Sequence, residues 1–175
     1  SENSSFFCDG VEHVGGWDIS CSARHGHGNV TLAESLMKSC NDAMMQIVAM
    51  EGRYDFYKYQ KLFSFGQKTG IDLPGEEGGI LTDLDKLNAS ELATSSFGQT
   101  FTVTMIQMAA AYSSLVNGGY YYQRRVVNEI MNDQKATVEK KEPLLIRRTV
   151  SEETSKFIKE TMYQTVEMGT AKPIR

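Results

Sequence analysis

Apolar positions recur at helical spacing in several separated stretches, each with its own start and stop signal. The first begins at Thr31, where Glu34 three residues later makes a capping box, and Leu32 and Leu36 mark one apolar face. That phase breaks at Ser39-Cys40-Asn41. A new stripe of Met44, Ile47 and Val48 follows, with Asn41 as the predicted N-cap, Asp42 in the first turn and Gly52 as the stop. Residues 54–65, rich in Tyr and Phe and closed by Gly66, predict a further helix. Residues 66–90 carry Gly, Pro and acidic residues without a clear period and read as a long loop. Thr104 with Gln107 is another capping box, after which Met105, Met108, Ala109, Tyr112 and Val116 keep helical spacing up to Gly118-Gly119. Ser151 caps a last helix with Glu152 and Glu153 in its first turn, Ile158, Met162, Thr165 and Val166 as its inward face, and Gly169 as its breaker.

Strand patterns fall elsewhere. "FFCDGVEHVGGWDISC" reads as two short strands around a Gly15-Gly16 turn, inside a glycine-rich, irregular opening segment of residues 1–30. "RRVVNEIM" and "KATVEKK" read as a hairpin around Asn132-Asp133. The pattern predicts at least four helices and one short hairpin near 124–140, with no internal repeat and no low-complexity tract.

Composition narrows the options. With 175 residues, 41% hydrophobic and 23% charged, the chain has the material for one domain with a real core. A net charge of −4 argues against nucleic acid as a partner, because phosphate binding needs a basic face. No apolar run approaches the length of a membrane span and no signal peptide is visible, so any membrane anchor is expected outside these residues. The three cysteines, Cys8, Cys21 and Cys40, are not a disulfide framework by count. Cys8 and Cys21 can pair, stay free, or join His13, His25 and His27 around a metal; the spacing fits no familiar zinc pattern, and neither a metal ligand set nor a cofactor is assigned.

Ser39-Cys40-Asn41 sits between two helix-like segments and is followed in order by "FGQKTGIDLPGE", "ELATSSFGQTFTVTMIQMAAAYSSLVNGG" and "VEMGTAK". This series resembles the transpeptidase domain of class B penicillin-binding proteins over nearly the whole chain. The implied fold is the α+β penicillin-binding transpeptidase and β-lactamase-like fold, with this stretch a mainly helical, partial transpeptidase domain over residues 1–175. The opening "CxG…GGW…C…HGHG" is most similar to versions from Gram-positive anaerobes, sporulation-type relatives among them.

In that family a serine attacks an amide to form an ester that an amine then resolves. The resemblance implies that Ser39 relays or shares a proton as a catalytic residue, and that Asn41 binds the backbone amide of the substrate. The side chains suit those roles: a hydroxyl both donates and accepts, and an amide matches a peptide on both counts. The middle residue, Cys40, is expected to offer no required chemistry.

Two look-alike motifs are set aside. Lys68-Thr69-Gly70 spells the family's late Lys-Thr-Gly motif, but it precedes the Gly169-Thr170 segment that should come before that motif. Ser35-Leu36-Met37-Lys38 has Ser-x-x-Lys spacing, but it abuts Ser39 where the family has no nucleophile, and Lys38 reads as a solvated helix residue. The true partners of both motifs are expected beyond the two ends. Thr100 follows "SSFGQ" where the family usually has Gly, so the local backbone there is in question.

The resemblance thus implies part of a peptidoglycan D,D-transpeptidase, acting on stem peptides outside the membrane, inhibited by β-lactams, and anchored to the membrane by another segment. The isolated chain is expected to be inactive and to expose an apolar face through which it can self-associate. One alternative is a β-lactam-sensing receptor domain of the same fold. Another is a structural or zinc-binding module built on residues 8–27.

Overall fold

A computed structural model describes residues 3–174. Among them are six α-helices and eight short strands, the strands arranged as four separate two-stranded antiparallel ladders. The chain divides into two compact units.

The first unit comprises Ser1–Tyr59, Leu81–Thr102 and Phe157–Arg175. Strand β1 (Ser5–Cys8) pairs with β4 (Gly28–Thr31), from Ser5↔Thr31 to Cys8↔Gly28. Between them, β2 (Val11–Val14) and β3 (Trp17–Ser20) form the expected hairpin around Gly15-Gly16. Helix α1 (Leu32–Met37) starts at the Thr31/Glu34 capping box, with both reciprocal hydrogen bonds formed. Helix α2 (Asn41–Glu51) stops at Gly52 as the pattern predicts. Its N-cap is Cys40, however, and Asn41 is its first helical residue. Phe6, Cys8, Cys21, Val30, Cys40 and Ala43 make the buried core, with Leu32 and Ile47 packed against it.

Helix α3 (Arg53–Leu62) is shorter than predicted. Helix α4 (Ala89–Ser95) lies at the end of the segment read as loop; it begins at a third capping box, Asn88 with Glu91. That signal, Asn followed three residues later by Glu, obeys the same rule as the two boxes identified from sequence.

The second unit comprises Gln60–Ile80 and Val103–Lys156. Helix α5 (Met105–Val116) begins at the Thr104/Gln107 capping box. Strand β5 (Tyr120–Tyr122) pairs with β8 (Leu145–Arg148), and β6 (Glu129–Met131) with β7 (Thr137–Lys140) in the predicted hairpin. The buried side of α5 is Gln107, Ala110, Ala111 and Ser114. Its apolar stripe, Met105, Met108, Tyr112 and Val116, is exposed, so the helical period is present with the opposite facing.

Helix α6 (Glu152–Glu167) starts where Ser151 Oγ accepts the Thr154 amide at 3.1 Å. Ser155 and Thr161 are its buried residues, while Met162, expected to face inward, is 39% exposed. No helix among the described residues is long and apolar enough to cross a membrane.

Candidate functional site

The turn between α1 and α2 has a specific geometry. The Cys40 amide donates to the Ser35 carbonyl at 2.9 Å and the Ser39 amide to the Leu36 carbonyl at 3.1 Å. These two bonds define a Schellman motif, which places Ser39 at the position where helices usually carry Gly. Ser39 accordingly has φ +51°, a left-handed conformation that disfavours an L side chain by about 1–2 kcal/mol. A glycine would meet the backbone demand of this turn without that cost.

Neither predicted site residue caps α2. The Cys40 N-cap makes no side-chain capping bond. Asn41, one residue further in, sends its amide Nδ2 to the Ser20 carbonyl at 3.4 Å and lines a cleft of about 530 Å³. Trp17 and Ile19 of β3, Phe97, Gln99 and Thr100 share that cleft. Ser39 is exposed, and its Oγ lies 3.2 Å from Thr170 Oγ1. The turn therefore presents a hydroxyl and an amide two residues apart, neither making a helix-capping bond.

The look-alike motifs resolve structurally. Ser35 is fully buried and donates its hydroxyl to the Leu32 carbonyl at 2.7 Å. Thr69 and Gly70 are held by Glu76: its Oε1 accepts the Thr69 amide at 2.5 Å and the Thr69 hydroxyl at 2.6 Å, and its Oε2 accepts the Gly70 amide at 2.9 Å. Thr100 adopts φ +66°, so the position does demand the glycine-like backbone, and Thr100 occupies it.

Sequence reasoning missed one constellation. Cys8, Cys21, His27 and Cys40 bring three sulfurs and one imidazole nitrogen within 4.8 Å of one another. The Cys8 and Cys21 sulfurs lie 3.5 and 3.7 Å from His27 Nδ1, and the Cys21 and Cys40 sulfurs are 4.0 Å apart. A tetrahedral zinc with ordinary Zn–S and Zn–N bonds has ligand–ligand edges of about 3.5–3.8 Å; two of these separations fall in that range and the third lies just above it. All three thiols are free and buried. Burial pushes the Cys8 and Cys40 thiols up from their ordinary value. Burial opposes ionisation of Cys21 too, but the backbone amides around it, led by that of Asp42, win and lower it. Of the other histidines, His13 pairs with Asp18 on the exposed hairpin and His25 is exposed; neither joins the set. The missing signal was Cys40, which was not joined to Cys8, Cys21 and His27 when a metal was weighed.

The family of penicillin-binding protein transpeptidase domains matches residues 1–174. The chain belongs to that family. It is 40% identical over 172 residues to stage V sporulation protein D of Bacillus subtilis, which covers 98% of this chain and 27% of that protein. It is 28% identical over 159 residues to the peptidoglycan D,D-transpeptidase MrdA of Acinetobacter baumannii, covering 86% of this chain and 24% of that protein. The chain thus spans about a quarter of the length of these relatives. Penicillin-binding protein 3 of Mycobacterium tuberculosis, solved with aztreonam, superimposes with a TM-score of 0.85 at 24% identity, covering 98% of this chain and 38% of that one. That likeness establishes the α+β transpeptidase fold.

Proposed function

We propose that residues 1–175 are the central part of a serine-type peptidoglycan D,D-transpeptidase domain, extracytoplasmic and anchored to the membrane through another segment of the whole protein. Its substrates are peptidoglycan stem peptides, and β-lactams acylate it at a serine outside these residues. In this reading Ser39 shares the proton of the acyl-transfer step and Asn41 binds the substrate amide. The observation that carries it is the turn itself. Ser39 holds a left-handed backbone at a glycine position, and neither Ser39 nor Asn41 caps α2. The name of the A. baumannii relative favours cross-linking over β-lactam sensing.

The test uses the full-length protein that carries this segment. Asn41→Ala removes a placed amide and should slow β-lactam acylation by about 10²–10³. Ser39→Gly should slow acylation as well while leaving the melting temperature unchanged or higher, because it relieves the left-handed strain. Parental acylation in both variants would leave the pair as fold determinants only.

A second reading concerns the same unit. Cys8, Cys21, His27 and Cys40 hold a structural zinc ion, a closed set of four protein ligands without an open position for catalysis. The fit of the sulfur and nitrogen spacing to a tetrahedron supports it. The purified chain should contain one zinc per molecule by elemental analysis, and replacement with cobalt(II) should give the visible bands of a tetrahedral thiolate site. Metal-free protein with three freely titrating thiols would exclude this reading.

A further inference from the structure

The Gly169-Thr170 segment is built onto the turn that carries Ser39. The Thr170 amide donates to the Met37 carbonyl at 3.0 Å, satisfying one of the free carbonyls at the end of α1. Gly169 makes that approach possible: a Cβ there would lie 2.5 Å from the Met37 oxygen. The segment also folds back on its own helix, with the Gly169 amide on the Thr165 carbonyl at 3.0 Å and the Ala171 amide on the same carbonyl at 3.3 Å. The outcome is a Thr170 hydroxyl 3.2 Å from the Ser39 hydroxyl, across 131 residues of sequence.

Hydroxyl-to-hydroxyl contacts determine where protons point. A serine hydroxyl has one proton and two acceptor sites. If Thr170 donates to Ser39, the Ser39 proton is directed away from Thr170, toward the group that shares it. If Thr170 accepts from Ser39, a Ser39 lone pair is turned outward to receive a proton. Without the Thr170 hydroxyl the Ser39 rotor loses the described side-chain partner that orients it. The left-handed backbone of Ser39 already fixes its Cα–Cβ direction, so the partner hydroxyl acts on what remains, the χ1 rotamer that places Oγ and the direction of the O–H bond.

We propose that Thr170 is a positioning residue for acyl transfer, orienting the Ser39 hydroxyl through their mutual hydrogen bond. The inference rests on the reading of Ser39 as part of an acyl-transfer site and adds a residue that the Ser-x-Asn motif does not contain. It separates the two parts of Thr170: the backbone amide fastens the segment to α1, and the side chain acts on Ser39.

The experiment measures β-lactam acylation rates in the full-length protein across pH, beside melting temperature. Thr170→Val keeps the shape and the backbone amide but removes the hydroxyl. It should lower the acylation rate about tenfold, the weight of one hydrogen bond, and alter the pH profile while the melting temperature stays put. Thr170→Ser should restore both rate and profile. Because Thr170 acts through Ser39, Ser39→Ala combined with Thr170→Val should be no slower than Ser39→Ala alone. A Thr170→Val rate and pH profile equal to the parent, with Ser39→Ala slow, overturns this inference and leaves the site reading standing. Parental rates in Ser39→Ala overturn both. Multiplicative losses in the double variant would show that Thr170 acts independently of Ser39, and that too overturns the inference.

Discussion

In the first unit the core is closed by Cys8, Cys21 and Cys40 beside Phe6, Val30 and Ala43. In the second unit the buried positions include Gln107, Ser114, Thr149 and Ser155, all hydroxyl or amide side chains. These polar groups of the second unit are partnered within it. Gln107 Nε2 faces the carbonyls of Ser64, Gln67 and Gly78 at 3.1, 2.6 and 2.7 Å, and its Oε1 accepts the Thr104 amide at 2.7 Å. Thr149 Oγ1 donates to Ser114 Oγ at 3.1 Å or the Gly119 carbonyl at 3.2 Å, and Ser155 Oγ donates to the Leu115 carbonyl at 2.6 Å. The cysteine cluster has no comparable closure: thiols are weak donors and weak acceptors, and contacts of 3.5–4.0 Å between them satisfy little. One unit ties its irregular backbone together with hydrogen bonds it already makes, and the other gathers three thiols and an imidazole, a set whose strongest bond would be to a metal.

The sharpest way to break that comparison is to challenge the proposed zinc with a chelator. A ligand present at about a thousand times its dissociation constant stabilises by about 4 kcal/mol, and each kcal/mol moves the melting temperature of a chain this size by about 2–4 °C. A strong chelator should therefore lower the melting temperature by on the order of 10 °C, and zinc should restore it. Cys40→Ala should share that loss, a revision of the expectation that the middle residue of the tripeptide is dispensable. A melting curve indifferent to chelator would place the two units on the same footing.

In the second unit the corresponding lever is pH. Burial works against ionisation of Glu76, but the hydrogen bonds from Thr69 and then Gly70 outweigh it and hold its carboxyl below the usual glutamate range. A depressed carboxylate contributes stability that is present above the unfolded value of about 4.3 and is lost as pH falls through the lower folded value. Glu76→Gln should thus cost about 1–2 kcal/mol at pH 7, and the gap to the parent should close in acid below that range. A gap that does not change with pH would mean that the charge of Glu76 does not hold the Thr69-Gly70 loop.

What the sequence showed follows the range of the interactions. Capping boxes are contained in four residues, so Thr31/Glu34 and Thr104/Gln107 were legible, and Asn88/Glu91 was legible by the same rule. The hairpins at Gly15-Gly16 and Asn132-Asp133 are equally local. The β1–β4 ladder joins residues twenty or more positions apart and has no local signature. The orientation of α5 was illegible for another reason: its apolar stripe and its small, polar stripe both have helical period, and periodicity does not say which one packs. Ser39 and Asn41 were legible as a motif, but the geometry of the turn that carries them was not. The left-handed φ of Ser39 and the displacement of the cap to Cys40 are visible only in the fold.

The smallest effect sharpens that last point at Thr100, a second left-handed residue, which lines the cleft. Its left-handed φ disfavours the side chain by about 1–2 kcal/mol, whereas its hydroxyl donates to the Gln99 carbonyl at 2.6 Å and lies 2.6 Å from Ser95 Oγ, hydrogen bonding of about 0.5–1.5 kcal/mol per bond. Thr100→Gly removes the strain together with the hydroxyl and adds about 0.5–1 kcal/mol of backbone entropy to lose on folding, so the gains and losses partly cancel. Thr100→Ala keeps the strain and loses both contacts of the hydroxyl, and should destabilise by about 1–2 kcal/mol. The expected order of melting temperatures is therefore parent and Gly together, with Ala below them, the reverse of what these residues do in an ordinary extended or helical position. Ala at or above Gly would mean that residue 100 is not left-handed in solution, and the argument from strain at Ser39 would then need its own independent support.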